Sequence, residues 1–471
     1  MIVEQIYTGC LSHGAYYIES EGEVAIIDPL REVQPYIDMA NQNNSKIKYV
    51  FETHFHADFV SGHVTLGKKT GADIVYGPNA NPDFECVIAK DNQEFKLGNI
   101  RIRVLHTPGH TMESTSYLLI DENEKEHAVF TGDTLFLGDV GRPDLAQKAV
   151  SMTQEQLAEI LFESLRTKIM TLPDATMVYP GHGAGSACGK KMSSETVGTI
   201  GSEKENNYAL RADMTKEEFV AEVTDGLLPP PAYFPLNVLL NKKGYKDIDD
   251  VLKQGQLGYS PSNFEKIVND SDAIVLDTRH QDEFAKSHIP GSIFIGIDGG
   301  FAPWVGALVK DVQQPILLVS EPDRIEEVIT RLARVGFDNV LGYLEGGIAA
   351  WKANGNDVDN VVNIHASELS RRMIENKNLK VVDVRKQSEH ENEHISAAIS
   401  VPLSEINTML SSFSKEEDNY IHCAGGYRSM IASSILKSRG VHNIVDVQEG
   451  FGSIKATRIP TSGIACVSRN N

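Results

Sequence analysis

Four apolar stretches in the first half of the sequence are each followed by a residue that can bind a metal ion. In the first of them, residues 47–51 end in a β-branched and an aromatic residue, as strands often do, and His54, His56 and Asp58 follow. Imidazole nitrogens and a carboxylate at alternate positions suit zinc or iron far better than calcium. The sequence therefore predicts a transition-metal site in this loop. A solvated loop that happens to carry histidines is the alternative that one motif alone would leave open.

Three later stretches repeat this arrangement. They are residues 100–105, 128–131 and 177–179, followed in turn by His110, Asp133 and His182. The first of the three alternates polar and apolar residues, as a half-buried strand does. Upstream of them, residues 22–29 predict a strand that ends in Asp-Pro, and residues 33–41 predict a helix. The recurrence of histidine and aspartate after successive strands favours a metal site over chance loop histidines.

These motifs, HxHxD, PGHT, GD and PGH, follow one another in the order found in the metallo-β-lactamase superfamily. The sequence resembles this superfamily over roughly its first 240 residues. The resemblance implies an αββα sandwich with the metal at one edge of the two sheets. It also implies that His54, His110 and Asp133 hold the metal.

The residue after Asp58 departs from the pattern of hydrolytic members of the superfamily, which commonly have a histidine there as a ligand of a second metal. Here it is Phe59, whose ring cannot bind a metal, although it could also serve simply to pack the core. A mononuclear site of two histidines and one carboxylate is typical of non-haem iron(II) oxygenases. The chain is in this respect similar to the persulfide dioxygenases of the superfamily. That resemblance implies one Fe(II), with His56, Asp58 and His182 orienting ligands and water.

Two further residues of the first segment are candidates for the site. Arg142, in the loop after Asp133, could bind a carboxylate of a thiol substrate, with a solvated surface arginine as the alternative. Cys188, in the glycine-rich turn after His182, could carry sulfur near the metal, with a small buried cysteine as the default.

The second half of the chain contains an internal repeat. Asp277 and His288 recur as Asp383 and His394, both at an offset of 106 residues, and the segment 345–347 recurs at 449–451. Predicted strands alternate with amphipathic helices in both copies, which indicates α/β units with a parallel sheet. Both copies resemble the rhodanese family.

The second copy carries a cysteine where rhodanese chemistry takes place. Cys423 ends a predicted strand, and Gly425 and Gly426 turn the chain into a helix that carries Arg428. Backbone N–H groups in such a loop favour a thiolate nucleophile, so we predict that Cys423 and Arg428 are catalytic and that the two glycines bind substrate. Cysteine phosphatases normally place five residues between the cysteine and the arginine. Here there are four, which suits a persulfide sulfur better than a phosphate.

The first copy has no thiol at the corresponding place. Cys423 lies five residues before Arg428. The residue five positions before Arg324 is Val319, which is followed by Ser320. We therefore expect a structural or docking domain that forms no persulfide.

The predicted fold class is thus α/β multidomain, with a metallo-β-lactamase αββα sandwich followed by two rhodanese-like α/β domains with parallel sheets. Prolines at 229–231 and 235 mark the exit from the first domain, and residues 235–254 predict a helical connector. The predicted domains are residues 1–240, 241–358 and 359–471.

Composition limits the partners and the location of the protein. A formal net charge of -21 argues against a nucleic-acid or anionic-membrane surface. The sequence contains no apolar run of 18 residues. Its N-terminus lacks a basic region followed by an apolar stretch, so we expect a cytoplasmic protein. The cysteines are too few and too scattered for a disulfide framework. They are Cys10, Cys86, Cys188, Cys423 and Cys466.

As a whole, the order of parts resembles the persulfide dioxygenase–rhodanese fusion proteins of sulfide detoxification. The resemblance implies that a low-molecular-weight thiol persulfide and dioxygen are substrates and that sulfite is the first product, with Cys423 passing sulfane sulfur to or from thiosulfate. The alternatives are a zinc-dependent thioester hydrolase of the glyoxalase II type and a non-catalytic persulfide carrier or sensor. The thiol and the oligomeric state are left open, a homo-oligomer included.

Overall fold

In the computed structural model of this protein, the described residues are 1–147, 151–227 and 229–463. They form two compact units. The first consists of Met1–Asp249 with Leu332–Gly336, and the second of Asp250–Arg331 with the residues from Phe337 onward. The domain limits at 240/241 and 358/359 stay predictions.

The first unit is built on two six-stranded sheets and a small hairpin. In spatial order, one sheet comprises β1 (Ile2–Thr8), β2 (His13–Ser20), β3 (Glu23–Ile27), β4 (Lys46–Glu52), β5 (Asp73–Tyr76) and β6 (Val87–Ile88). The other comprises β14 (Gly198–Thr199), β13 (Met177–Pro180), β10 (Glu126–Gly132), β9 (Thr115–Ile120), β8 (Ile100–His106) and β7 (Glu94–Leu97). The hairpin pairs β11 (Leu135–Phe136) with β12 (Asp139–Val140).

Helices α1 (Gln34–Gln42) and α2 (His63–Thr70) pack on the outer face of the first sheet. Helices α3 (Gln154–Ser164), α4 (Ile200–Asn206) and α5 (Lys216–Thr224) pack on that of the second. Helices α6 (Phe234–Lys243) and α7 (Ile248–Gly255) follow in the chain, and most of α7 belongs to the second unit. A π-helical turn, Leu165–Ile169, continues α3, and Tyr208–Leu210 is a 3-10 turn.

Strand periodicity explains the layers. Successive side chains of a strand point to opposite faces. Accordingly Tyr16 and Ile18 of β2 pack in the cluster between the sheets, whereas Ala15 and Tyr17 pack with α1 and α2. Leu161 of α3 belongs to the cluster behind the second sheet. The predicted αββα sandwich is confirmed, and the predicted metal-bearing loops follow β4, β8, β10 and β13.

The second unit contains two parallel five-stranded sheets with the same topology. The first runs β15 (Gly258–Tyr259), β19 (Val340–Leu344), β18 (Ile316–Val319), β16 (Ile274–Asp277) and β17 (Ile293–Phe294). The second runs β20 (Val362–Ile364), β25 (Ile444–Val447), β24 (Asn419–His422), β21 (Lys380–Asp383) and β23 (Ile399–Ser400). A two-stranded sheet joins β22 (His394–Ile395) to β26 (Thr461–Ser462). The predicted repeat of parallel α/β units is confirmed.

Helices alternate with these strands along the chain. They are α8 (Pro261–Asp270), α9 (Gln281–Lys286), α10 (Phe301–Leu308), α11 (Ile325–Arg334), α12 (Gly347–Ala353), α13 (Ala366–Glu375), α14 (Gln387–Asn392), α15 (Tyr427–Ser438) and α16 (Gly450–Lys455). Short 3-10 turns lie at Pro322–Arg324, Leu403–Glu405 and Leu410–Ser412.

No helix within the described ranges is both long and apolar enough to cross a membrane. The four cysteines in those ranges, Cys10, Cys86, Cys188 and Cys423, are free thiols. Cys466 lies outside the described residues.

Candidate functional site

Three of the predicted metal ligands come together at the edge of the sandwich. Nε2 of His54 lies 3.9 Å from Oδ2 of Asp133, and Nε2 of His110 lies 3.5 Å from the same oxygen. All three side chains are buried, and Oδ2 of Asp133 has no hydrogen-bond partner among the described residues. A buried carboxylate oxygen left unpaired is costly unless something binds it. The set fits a metal ion bound by two imidazoles and one carboxylate.

A hydrogen-bonded chain fixes the tautomer of His54. The hydroxyl of Thr53 donates to Oδ2 of Asp28 over 2.8 Å, so its oxygen is free to accept from Nδ1 of His54, 2.9 Å away. Nδ1 therefore carries the proton and Nε2 presents its lone pair toward Asp133. Hydrogen bonds of this kind orient metal-binding histidines in many proteins. Asp28 and Thr53 were not among the predicted site residues, although the sequence placed Asp28 at a strand end.

His110 is held in the same way by a backbone group. Its Nδ1 lies 2.9 Å from the carbonyl oxygen of Arg142, which can only accept, so Nδ1 donates and Nε2 is left to bind a metal. The loop that carries Arg142 thus supports the site through its main chain.

Burial and nearby charges favour a neutral His54 beside an ionised Asp133. Burial lowers the pKa of His54 well below its ordinary value, and His56 adds to the shift. Burial by itself would raise the pKa of Asp133, but His182, His54 and His110 hold it well below its ordinary value. These are the protonation states that metal binding requires.

His182 lies between two carboxylates. Its Nδ1 is 2.7 Å from Oδ1 of Asp133, and its Nε2 is 2.8 Å from Oδ2 of Asp58. Burial by itself would lower the pKa of His182, but Asp133 and Asp58 raise it well above its ordinary value. With both ring nitrogens protonated, His182 donates to both carboxylates and so orients Asp133.

His56 packs on the ring of His54, with 4.3 Å between the centroids, and its Nε2 lies near two carboxylates. Its Nε2 lies 3.1 Å from Oδ1 of Asp28 and 3.6 Å from Oε2 of Glu52. Burial and the neighbouring Asp28 raise the pKa of Glu52 well above its ordinary value. The raised pKa favours a protonated and therefore neutral Glu52, which reduces the negative charge that Glu52 and Asp28 together would place beside His56.

Phe59 is fully buried beside these groups. Its ring centroid lies 4.3 Å from that of His13 and 4.4 Å from that of His56. The buried amide of Asn241 in α6 fixes the loop by donating to the carbonyl oxygens of His56 and Phe59, over 2.8 Å in both cases. Asn241 lies one residue beyond the predicted limit of the first domain, and no motif in the sequence marks it.

Cys188 lies next to a second group of possible metal ligands. Its Sγ and ligand atoms of Asp58 and His182 are all within 4.8 Å of one another. Burial, followed by the charges of Asp133 and Asp58, raises the pKa of Cys188 well above its ordinary value. The side chain is therefore a protonated thiol in this state, consistent with the small buried cysteine that the sequence left as the default.

The guanidinium of Arg142 is occupied within the protein. It contacts both carboxylate oxygens of Asp144, over 2.6 and 2.7 Å, and donates to the carbonyl oxygen of Ala187. With an exposed fraction of 6%, it is not the solvated surface arginine that the sequence allowed. Its predicted contact with a substrate carboxylate stays a prediction.

The thiol of Cys423 lies in the predicted loop between β24 and α15. The amide of Gly426 donates to Sγ over 3.1 Å, and Oγ of Ser429 lies 3.6 Å from Sγ. Gly426 has a φ of 91°, a conformation that favours glycine. Gly425 and Gly426 both line a cavity in front of this loop. Such a loop can present a sulfur atom to a small substrate.

Arg428 points toward the neighbouring helix α14. Its two terminal nitrogens donate to Glu389 over 2.6 and 2.9 Å. The side chain is therefore already neutralised by a carboxylate, and its predicted catalytic role stays a prediction.

The first repeat has a serine at the place of Cys423. In the parallel pairs, Val319 lies opposite Asp277 as His422 lies opposite Asp383, so Ser320 corresponds to Cys423. Arg324 is paired with Asp298 and Glu327. The first repeat has no thiol at this position.

Comparison with known proteins agrees with this architecture. Residues 8–182 match the metallo-beta-lactamase superfamily, and residues 260–354 and 365–457 each match the rhodanese-like domain. The structure is similar to that of a metallo-beta-lactamase from Staphylococcus aureus subsp. aureus COL, with a TM-score of 0.65 and 31% identity over 73% of this chain and 98% of that one. The chain belongs to the metallo-beta-lactamase superfamily. It joins the domain of that superfamily to two rhodanese-like domains.

Two further comparisons concern the first domain. The chain is 36% identical over 179 residues to the cytoplasmic hydroxyacylglutathione hydrolase of Arabidopsis thaliana, across 37% of this chain. It spans 65% of the length of that relative, just under two thirds. It is 32% identical to ETHE1 from Myxococcus xanthus, across 51% of this chain and 98% of that one, with a TM-score of 0.45.

Proposed function

We propose that the first domain is a mononuclear iron(II) persulfide dioxygenase and that Cys423 transfers the sulfane sulfur of a thiol persulfide. The observation that carries the proposal is the convergence of His54, His110 and Asp133, in a site whose first loop has the non-binding Phe59 after Asp58. Two imidazoles and one carboxylate leave coordination positions for both a sulfur ligand and dioxygen.

The protein side chains prepare this site rather than react. Thr53 and the carbonyl of Arg142 keep Nε2 of both histidines unprotonated. His182 holds Oδ1 of Asp133, which leaves Oδ2 for the metal. A bound iron(II) would supply the redox chemistry with dioxygen that these side chains lack.

The overall reaction balances without another reductant. One thiol persulfide, one dioxygen and one water give the thiol, hydrogen sulfite and one proton. The terminal sulfur is oxidised and dioxygen is reduced, while the thiol leaves with a hydrogen.

The second half of the proposal concerns Cys423. Its thiolate attacks the terminal sulfur of a persulfide, the S–S bond of the donor breaks, and the thiol leaves with the proton of the persulfide. Transfer of that sulfur to sulfite then gives thiosulfate and restores the thiolate. The N–H group of Gly426 supports the charged sulfur throughout.

A second candidate function has its own support. Asp58, His182 and Cys188 form a buried group that could hold a second metal despite Phe59, and two metals would suit thioester hydrolysis. Proteins named hydroxyacylglutathione hydrolase are among the relatives of the first domain. Against this candidate, both nitrogens of His182 are engaged by carboxylates.

Two assays on one preparation separate the candidates. Metal-free protein is reloaded with one equivalent of either iron(II) or zinc, then given a thiol persulfide with oxygen uptake recorded, and hydroxyacylglutathione with thioester hydrolysis recorded. We expect oxygen uptake with iron only and little hydrolysis with either metal. Hydrolysis by the zinc form without oxygen uptake by the iron form would establish the hydrolase instead.

A further inference from the structure

A cavity of about 340 Å³ lies in front of the Cys423 loop and is lined by both rhodanese-like repeats. The second repeat contributes Gly425, Gly426 and Asp446, and the first contributes Gln281 and Asp282. The repeats are in direct contact here, because the hydroxyl of Tyr427 donates to the carbonyl of Gly296 over 2.6 Å. The volume suits a small thiol compound.

The charged lining of this cavity is acidic. Asp282, Asp446 and Glu449 line it, and no lysine or arginine is found among its described lining residues. Arg428, on the helix that follows the loop, is already paired with Glu389. Dianions such as thiosulfate therefore meet unfavourable charge, whereas a cationic group meets favourable charge.

Two oxygens in the lining have no hydrogen-bond donor. Asp446 in β25 lies opposite Asn363 in β20, and both side chains line the cavity. Oδ1 of Asp446 and Oδ1 of Asn363 are buried and unpartnered among the described residues, and Asp446 is only 1% exposed. Buried acceptors without a donor are rare and costly in folded proteins. A ligand that brings N–H groups would satisfy both.

We propose that this cavity binds the ammonium group of an aminothiol persulfide, with Asp446 and Asn363 as acceptors and Asp282 of the first repeat as a supporting charge. The inference rests on the sulfur transfer at Cys423 proposed above and names its class of donor. An ammonium group supplies N–H donors for the two unpartnered oxygens and a positive charge for the carboxylates. Bound in this way, the persulfide would lie in the cavity lined by the Cys423 loop.

This assigns a function to the repeat that has no thiol. Gln281 and Asp282 begin α9 of the first repeat, and a Cβ on Gly426 would lie 4.0 Å from Nε2 of Gln281. The first repeat therefore forms one wall of the active cavity. Sulfite is an anion and is repelled by the same carboxylates. We therefore expect the cavity to speed the transfer of sulfur from a cationic donor to Cys423, and not the later transfer from Cys423 to sulfite.

The charge of the cavity changes near neutral pH. Burial, reinforced by the charge of Asp282, raises the pKa of Asp446 to about 7, although Ser429 opposes the shift. The other titratable groups that line the cavity are His365 and Glu449, which lie 3.6 Å apart. Since Asp446 ionises as pH rises through this range, we expect the preference for cationic donors to be stronger at pH 8 than at pH 6.

The test uses mass spectrometry of the full chain to measure the rate at which Cys423 gains one sulfur atom from a persulfide donor. The donors are the persulfides of cysteamine, 2-mercaptoethanol and 3-mercaptopropionate, whose groups remote from the sulfur carry a positive charge, no charge and a negative charge, respectively. The charge of a donor also alters its intrinsic reactivity. The quantity compared between wild type and variants is therefore the preference, which is the ratio of the loading rates with two donors. Asp446→Asn and Asp282→Asn remove lining charges, and Glu283→Gln removes a neighbouring charge that pairs with Lys286.

We expect Asp446→Asn to lower the preference for the cysteamine donor over the mercaptopropionate donor by about tenfold. Asp282→Asn, at an exposed side chain where misfolding is not a concern, should lower it by a smaller factor, and Glu283→Gln should leave it unchanged. Equal preferences in wild type, Asp446→Asn and Asp282→Asn would overturn the inference while leaving sulfur transfer intact. If none of the donors loads Cys423 in the wild type, the sulfur transfer itself is wrong and this inference falls with it.

Discussion

The ring of Phe59 packs against the ring of His56, with 4.4 Å between their centroids. Phe59 is the residue that follows Asp58, and Asp58 already accepts a hydrogen bond from His182. At this position the loop thus carries an apolar ring, packed on His13 and His56, in place of a side chain that could bind a second metal. A mononuclear centre in this domain depends on Phe59.

Phe59→His should bring in a second metal. An imidazole fits within the volume of the benzyl side chain and adds a nitrogen ligand, so metal content should rise from about one toward two ions per chain. Oxygen uptake with persulfide should fall, because a second metal occupies space that the substrates need. Phe59→Leu is the matched control, since it changes the packing without adding a ligand. If both variants hold the same metal content as the wild type, the argument from Phe59 is wrong.

Thr53→Val should weaken metal binding without removing a ligand. The substitution deletes the hydroxyl between Nδ1 of His54 and Oδ2 of Asp28 and leaves His54 free to change tautomer. We expect metal affinity, measured by competition with a chelator, to fall by about 10- to 100-fold. Thr53→Ser retains the hydroxyl and should bind the metal nearly as well as the wild type. Equal affinity in the valine and serine variants would exclude this role for Thr53.

Cys423→Ser and His54→Ala should have opposite effects. Serine cannot form a persulfide, so Cys423→Ser should retain oxygen uptake while the product changes from thiosulfate to sulfite. His54→Ala should abolish oxygen uptake and retain the gain of a sulfur at Cys423, because the ligands and the thiol belong to different domains. Oxygen consumption with chromatography of sulfite and thiosulfate on the same samples checks both outcomes. Thiosulfate made by Cys423→Ser at the wild-type rate would contradict the proposed order of steps.

Much of this site could be predicted from the sequence, because the chemistry depends on short motifs. The motifs after β4, β8, β10 and β13 are local, and their order indicates one fold. The repeat was visible because strands and turns recur at a nearly constant offset. The missing thiol of the first repeat is also evident from the sequence, although the register of the parallel strands puts Ser320, and not Val319, at the position of Cys423.

The supporting contacts could not be predicted because they join residues far apart in sequence. Thr53 meets Asp28 across neighbouring strands, and Asn241 reaches the metal loop from a helix almost two hundred residues later. Arg142 was singled out for its side chain, yet the group that contacts His110 is its carbonyl oxygen. Asp446 has no motif around it, and only its burial and its position at the cavity distinguish it.

Asp446 should also make stability depend on pH. Its pKa is raised by burial from 3.8 to about 7, so the folded protein keeps a proton that the unfolded chain loses. The stabilisation that this proton gives to the folded protein is fully present below pH 4 and is lost as pH rises through about 7. The loss lowers the free energy of unfolding by an amount on the order of a few kcal/mol. Asp446→Asn does not titrate, so its melting temperature relative to the wild type should rise between pH 5 and pH 8. If the difference in melting temperature between Asp446→Asn and the wild type stays constant from pH 5 to pH 8, Asp446 does not ionise in this range in the folded protein.

The metal content of protein purified without oxygen tests the central claim most directly. Iron and zinc are measured per chain by elemental analysis of the full-length protein. A site formed by His54, His110 and Asp133, with Phe59 in place of a further ligand, predicts about one iron and little zinc. Two zinc ions per chain and no iron would contradict it.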